Sequence, residues 1–131
     1  MGDRTNVGVM MRDYHDNEKL GILWVYSHWG FPGITASIAK SLDNAKGRWD
    51  DNAYGQRIFV QSLMEAGGME AESELGGGLT FNFIGDNEHK LWVADLHDQT
   101  MSLYPEYDGS LDTPEPLVVT SFQNFLTKYG K

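Results

Sequence analysis

The 131-residue chain contains no cysteine. That excludes disulfides, thiolate metal sites and cysteine nucleophiles, and it fits a reducing compartment. No apolar run approaches the roughly 20 residues needed to span a bilayer. Residues 1–6 are polar and too short for a secretory signal. These absences predict a soluble, cytoplasmic protein that does not engage a membrane. Basic residues are scarce as well. Ten Lys and Arg stand against nineteen Asp and Glu, for a net charge of −9. The ten are scattered, whereas a phosphate-binding surface needs them clustered, so direct nucleic-acid binding is not expected. The acidity reads in two ways: it keeps the chain soluble, or it meets a basic partner.

Several chemical signatures are also missing. Gly76-Gly77-Gly78 lacks the Gly-Lys-Ser/Thr of a P-loop and leads into a strand. There is no Gly-x-Ser-x-Gly elbow and no His-x-x-x-His. The nearest approach to a metal set is His89, Asp95 and His97, which share one face of a predicted strand. That spacing is weak, so no metal, no cofactor and no catalytic residue is assigned.

What is present suits one globular domain over residues 1–131. Hydrophobic residues make up 40% of the chain, with four Trp, six Tyr and six Phe among them. A chain of this length buries roughly two thirds of its unfolded surface. The organising stretch is Gly21 to Gly33. Ile22, Trp24, Tyr26 and His28 alternate with Leu23, Val25, Ser27 and Trp29, so both faces of the strand are mainly apolar. An interior strand covered on both sides follows. Residues 6–11 read as a first strand, joined to it as a hairpin by the polar residues 12–19. A symmetric loop then sets Asp3 to Asn6 opposite Ser27 to Trp29, within about two residues.

Gly30-Phe31-Pro32-Gly33 breaks the strand, and Pro32 suits the first turn of a helix. Ile34, Ile38, Leu42 and Ala45 recur at helical spacing, with Gly47 as the stop. Asp50 or Asp51 caps a second helix that runs to about Ala66, and Gly67-Gly68 ends it. Gly55, in its first turns, is either a close backbone approach or a tolerated cost of roughly 1 kcal/mol. Residues 69–78 are a loop of glutamates and glycines. Strands follow at 79–84, 89–96 and 100–104, with a turn at 85–88 and a loop at 105–116. Ser121 caps a last helix, Phe122 to Tyr129. The order is ββααβββα. It predicts an α+β fold with a mostly antiparallel sheet of about five strands and helices packed on it.

A set of motifs spans nearly the whole chain. It comprises Gly2-Asp3-Arg4 with Asn6-Val7, Tyr26 with His28-Trp29-Gly30, and Arg48-Trp49-Asp50-Asp51 with Tyr54 and Arg57-Ile58. Weaker members are Asp86-Asn87, Val93 with Asp95, and Ser121-Phe122 with Phe125-Leu126. In these motifs the chain resembles a family of small bacterial and phage proteins without an established activity. The resemblance implies a phage or mobile-element setting and carries over no catalytic roles. Phe31 stands where that family has a second glycine after His-Trp-Gly.

Two surfaces emerge as candidates. The first is a ligand-binding set of Arg4, Asn6, His28 and Trp29 at the end of the central strand. Arg4 and His28 would hold an anion, with Trp29 stacked on a planar group. The structural alternative pairs Arg4 with Asp3 and leaves Trp29 in the core. The second is a partner-binding set of Arg48, Trp49, Asp50, Asp51, Tyr54 and Arg57. Its alternative is a capped helix start with a local ion pair. A first helix of about thirteen residues, roughly 20 Å long, would carry Arg48 to the far end of the sheet from His28. The function expected from all this is a non-catalytic binding or inhibitor protein acting on a host protein or small metabolite. The other two readings are an enzyme acting on a nucleotide-like ligand around Arg4 and His28, and a self-associating structural subunit such as a homodimer.

Overall fold

A computed structural model describes residues 3–84, 87–105 and 115–130. The fold is α+β: a six-stranded mixed sheet with three helices. The strands are β1 (Thr5–Arg12), β2 (Lys19–Ser27), β3 (Gly77–Phe81), β4 (Leu91–Asp95), β5 (Thr100–Tyr104) and β6 (Val118–Ser121). The helices are α1 (Ile34–Asn44), α2 (Asn52–Ala66) and α3 (Phe122–Tyr129). Across the sheet the order is β3-β2-β1-β4-β5-β6.

β1 and β2 form the expected hairpin, with Thr5 opposite Ser27 and Asn6 opposite Tyr26. β2 is interior, paired with β1 on one side and β3 on the other. Period-two alternation sends its side chains into two clusters. Val25 joins Val7, Val9, Trp92 and Ala94 under the helices. Ile22 and Trp24 join Met10, Ile84, Leu91 and Val93 on the opposite face. Trp24 is fully buried, and its ring lies across Gly8, where a Cβ would meet Trp24 and Ile22 at 2.7 Å.

The helices supply the rest of the larger cluster. α1 buries Ile38 and Leu42, α2 buries Phe59 and Leu63, and α3 buries Phe122 and Phe125. Each fully buried side chain of this kind stabilises the fold by about 1.5–3 kcal/mol. Asp51 caps α2 by accepting from the N–H groups of Ala53 and Tyr54, and Ser121 caps α3 through Asn124. Gly55 is a close approach: a Cβ there would collide with the Arg48 carbonyl and with Leu96. α1 starts later than expected. Gly33, with φ 52°, is its N-cap, so Pro32 lies outside it.

The sheet corrects the expected topology in two respects. It has six strands rather than about five, because β6 pairs antiparallel with β5 just before α3. Its order is therefore ββααββββα. The sheet is also mixed, because β1 and β4 are parallel. β3 occupies the free edge of β2, which leaves the next strand the free edge of β1. The chain re-enters beside the start of β1, where Glu88 N–H donates to the Arg4 carbonyl at 2.8 Å. β4 must then run the same way as β1. Of the expected features, Gly2, the Gly85-Asp86 half of the turn and most of the 105–116 loop lie outside the described residues. No helix among the described residues is long and apolar enough to cross a membrane.

Candidate functional site

The hairpin register brings the two halves of the first predicted surface to one end of the sheet, where Asp3 N–H donates to the His28 carbonyl at 2.8 Å. Their side chains then divide. Arg4 pairs with Glu88: Oε1 accepts the Arg4 backbone N–H at 2.9 Å, and Oε2 lies 3.6 Å from the guanidinium. Asn6, 1% exposed, bonds Asn87 Oδ1 through both its backbone and side-chain nitrogens at 3.2 Å. The partners are thus the residues just before β4. The proposed Asp3 counter-ion goes elsewhere, with its carboxylate 2.5 Å from His89 Nε2. His28 Nδ1 and the Tyr26 hydroxyl are hydrogen-bonded at 3.1 Å, and the imidazole packs edge-on against Trp29. Trp29 is not core; it is 60% exposed.

The second surface lies at the opposite end, beside the β1–β2 turn, where Asn52 donates to Asn17 at 3.1 Å. Its members hold the corner between α1 and α2. Trp49 donates to the Leu42 carbonyl at 2.9 Å and meets Phe122 edge-on. Asp51 is the cap already described. Arg48 sits over the ring of Tyr54 at 5.1 Å, and Arg57 donates to Gln61 at 2.9 Å. Asp50 is exposed.

His89, Asp95 and His97 do not meet. His89 precedes β4 and faces Asp3, whereas Asp95 ends β4. No group of three or more metal-ligating side chains occurs among the described residues. Asp95 instead holds Arg12 in a nearly buried two-pronged ion pair, with Nε at 3.1 Å and Nη2 at 2.6 Å. The same carboxylate accepts the N–H groups of His97 and Asp98 at 3.1 and 3.3 Å. Arg12 also donates to the Asn17 carbonyl at 2.8 Å. The bond to Asp95 raises the arginine pKa above its ordinary value, against the opposing effect of burial. The pair ties the β1–β2 turn to the β4–β5 turn.

A surface that the sequence reading did not single out is the outer edge of β3. Residues 75–83, Leu-Gly-Gly-Gly-Leu-Thr-Phe-Asn-Phe, carry no charge. Leu75, Leu79, Phe81 and Phe83 are each at least half exposed. The backbone phase is set by two bonds to the neighbouring strand, Asn82 N–H to the Ile22 carbonyl and His28 N–H to the Gly76 carbonyl. Gly77, Leu79 and Phe81 therefore turn their own N–H and C=O groups outward. Most sheet edges are blunted by Lys, Pro or a bulge; this one carries neither residue. The glycines let the strand start where it does. A Cβ on Gly76 would strike the Trp29 ring, and one on Gly77 would strike Met69 and the Tyr26 carbonyl.

Two grooves flank that starting point. One, of about 490 Å³, lies on the helix side between the end of α2 and β3, lined by Met64, Glu65, Met69, Glu70, Leu75 and Gly77. The other, of about 390 Å³, is lined by Tyr26, His28, Trp29, Glu74 and Leu75. Half of the first predicted surface, His28 and Trp29, thus belongs to the β3 edge; Arg4 and Asn6 do not line it. The segment that forms the edge and both grooves is acidic: residues 58–89 include five Glu and one Asp and no Lys or Arg, and Arg57, just before it, shares a neighbouring cavity with Glu65. An uncharged run of nine residues in so acidic a chain was the available signal.

No protein-family model, no curated protein and no solved structure matches the chain.

Proposed function

We propose that this is a non-catalytic binding protein whose contact surface is the β3 edge with its two grooves. The observation that carries this reading is the uncharged, half-exposed strand at Gly77–Phe81, with outward backbone groups and no blunting residue. Such an edge adds a strand from a partner: main-chain bonds supply affinity, and the flanking grooves supply specificity. The predicted ligand site supports the same choice. Arg4, Asn6 and His28 each have a protein side chain as partner, so their arrangement does not call for a substrate anion. A phage or mobile-element setting, a cytoplasmic location and a host protein as target belong to this proposal, the first resting on the motif resemblance.

The test is site-directed photocrosslinking in the native host. A photoreactive residue replaces Phe81 in one variant and Lys40, exposed on α1, in another. The expected result is a discrete protein adduct from position 81 and none from position 40. An adduct of the chain with itself would make it a self-associating subunit. Equal, diffuse labelling from both positions would overturn the reading.

A further inference from the structure

Resting on that reading, we infer that the partner presents an extended segment, basic at the end that lies beside Gly77 and apolar along the part that lies beside Leu79 and Phe81. Three features of the edge select it. Gly77, Leu79 and Phe81 direct backbone donors and acceptors outward at two-residue intervals, which only an extended backbone satisfies in succession. Leu79 and Phe81 stand on the helix-side face, in register with Val25 and Leu23, and offer apolar contact to alternate side chains of an added strand.

The third feature is charge. At the Gly77 end, Glu65 and Glu70 line one groove and Glu74 the other. The second groove also holds Trp29 and Tyr26. An Arg or Lys placed there meets a carboxylate and the face of an exposed indole together. Arg57 shares a neighbouring cavity with Glu65, but Glu70 and Glu74 have no ion pair among the described residues. The same charge disfavours a second copy of this chain. Pairing two β3 edges would bring two acid-only segments together in molecules that each carry −9. It also disfavours acidic or phosphorylated segments, which the surrounding carboxylates repel.

The experiment titrates three short synthetic peptides into the isotope-labelled full chain and follows its backbone amides by NMR. One peptide alternates Val with Arg at one end and Val with Thr at the other. The second replaces Arg with Glu. The third carries Pro at a central ladder position, which removes a donor. The Arg peptide is expected to shift the amides of Gly77, Leu79 and Phe81 and to bind at least about tenfold more tightly than either control. Its affinity should fall with added salt, and it should fall about tenfold in the Glu70→Gln/Glu74→Gln variant while the same amides still shift. Equal binding of the Arg and Glu peptides, or shifts mapping elsewhere, would overturn the inference. Concentration-dependent protection of the β3 amides without peptide would overturn it in favour of self-pairing. A hetero-adduct from position 81 combined with no preference for the Arg peptide would leave the binding reading standing and remove only this partner class.

Discussion

Replacing Asp95 with Asn removes the charge from an ion pair whose side chains are only 10% and 12% exposed. Asn keeps a carbonyl oxygen, so the turn N–H groups of His97 and Asp98 retain an acceptor. What is lost is the charge and the Nη2 bond to Oδ2; the Nε bond to Oδ1 is kept, and the guanidinium is left largely buried beside a neutral amide. Removing one member of a buried pair costs about 3–5 kcal/mol. Two contacts soften that here. Arg12 keeps the Asn17 carbonyl at 2.8 Å and the half-exposed carboxylate of Asp98 at 3.5 Å. The expected loss is therefore about 2–4 kcal/mol. With a urea slope of about 2 kcal/mol/M, the midpoint should fall by about 1–2 M at unchanged slope. Because the arginine pKa is raised, its contribution is complete below the ordinary arginine range and is lost only in strong alkali. The arginine's own titration therefore adds no pH dependence to this loss between neutral pH and mild alkali. Arg12→Met/Asp95→Asn, which removes both charges and keeps the acceptor for the turn, should cost less than Asp95→Asn alone. A loss below about 1 kcal/mol for Asp95→Asn, or a double variant costing the sum of the singles, would refute the staple.

Three further outcomes follow from the packing. Trp24→Ala should cost about 3–5 kcal/mol in urea unfolding, because it empties a fully buried aromatic site. Gly8→Ala should cost about 1–3 kcal/mol by the same assay, since its Cβ would press on the Trp24 ring and Ile22. Asp51→Ala should cost about 0.5–2 kcal/mol as a lost cap, read from the thermal midpoint, whereas Asp51→Ser should recover most of it.

The legible part of the fold was the local part. Alternation over residues 21–29, helical spacing from Ile34 to Ala45, and the caps Asp51 and Ser121 are each written within a few residues, and the structure places those elements there. The register of the β1–β2 hairpin was legible because a short loop fixes it. Two features were not. β6 is only four residues, begins just after Pro116 and ends on the cap of α3, too short to show a period. The parallel pairing of β1 with β4 depends on which sheet edge is free, and no local pattern records that. The first candidate surface divides at the same place. The partners of Arg4 and Asn6 are Glu88 and Asn87, more than eighty residues away, and only the β1–β4 pairing brings them in. The β3 edge was half visible: its strand was expected, but its place at the rim of the sheet was not.

The central claim is that the outward backbone groups of β3 are free in the isolated chain and become paired with a partner. Residue-resolved amide hydrogen exchange tests it most directly, on the isolated chain and on the complex retrieved through position 81. In the isolated chain Gly77, Leu79 and Phe81 should exchange fast, while Gly78 and Thr80, whose N–H groups face β2, should be protected. In the complex all five should be protected. Protection of Gly77, Leu79 and Phe81 in the isolated monomer, or their continued fast exchange in the complex, would contradict the account.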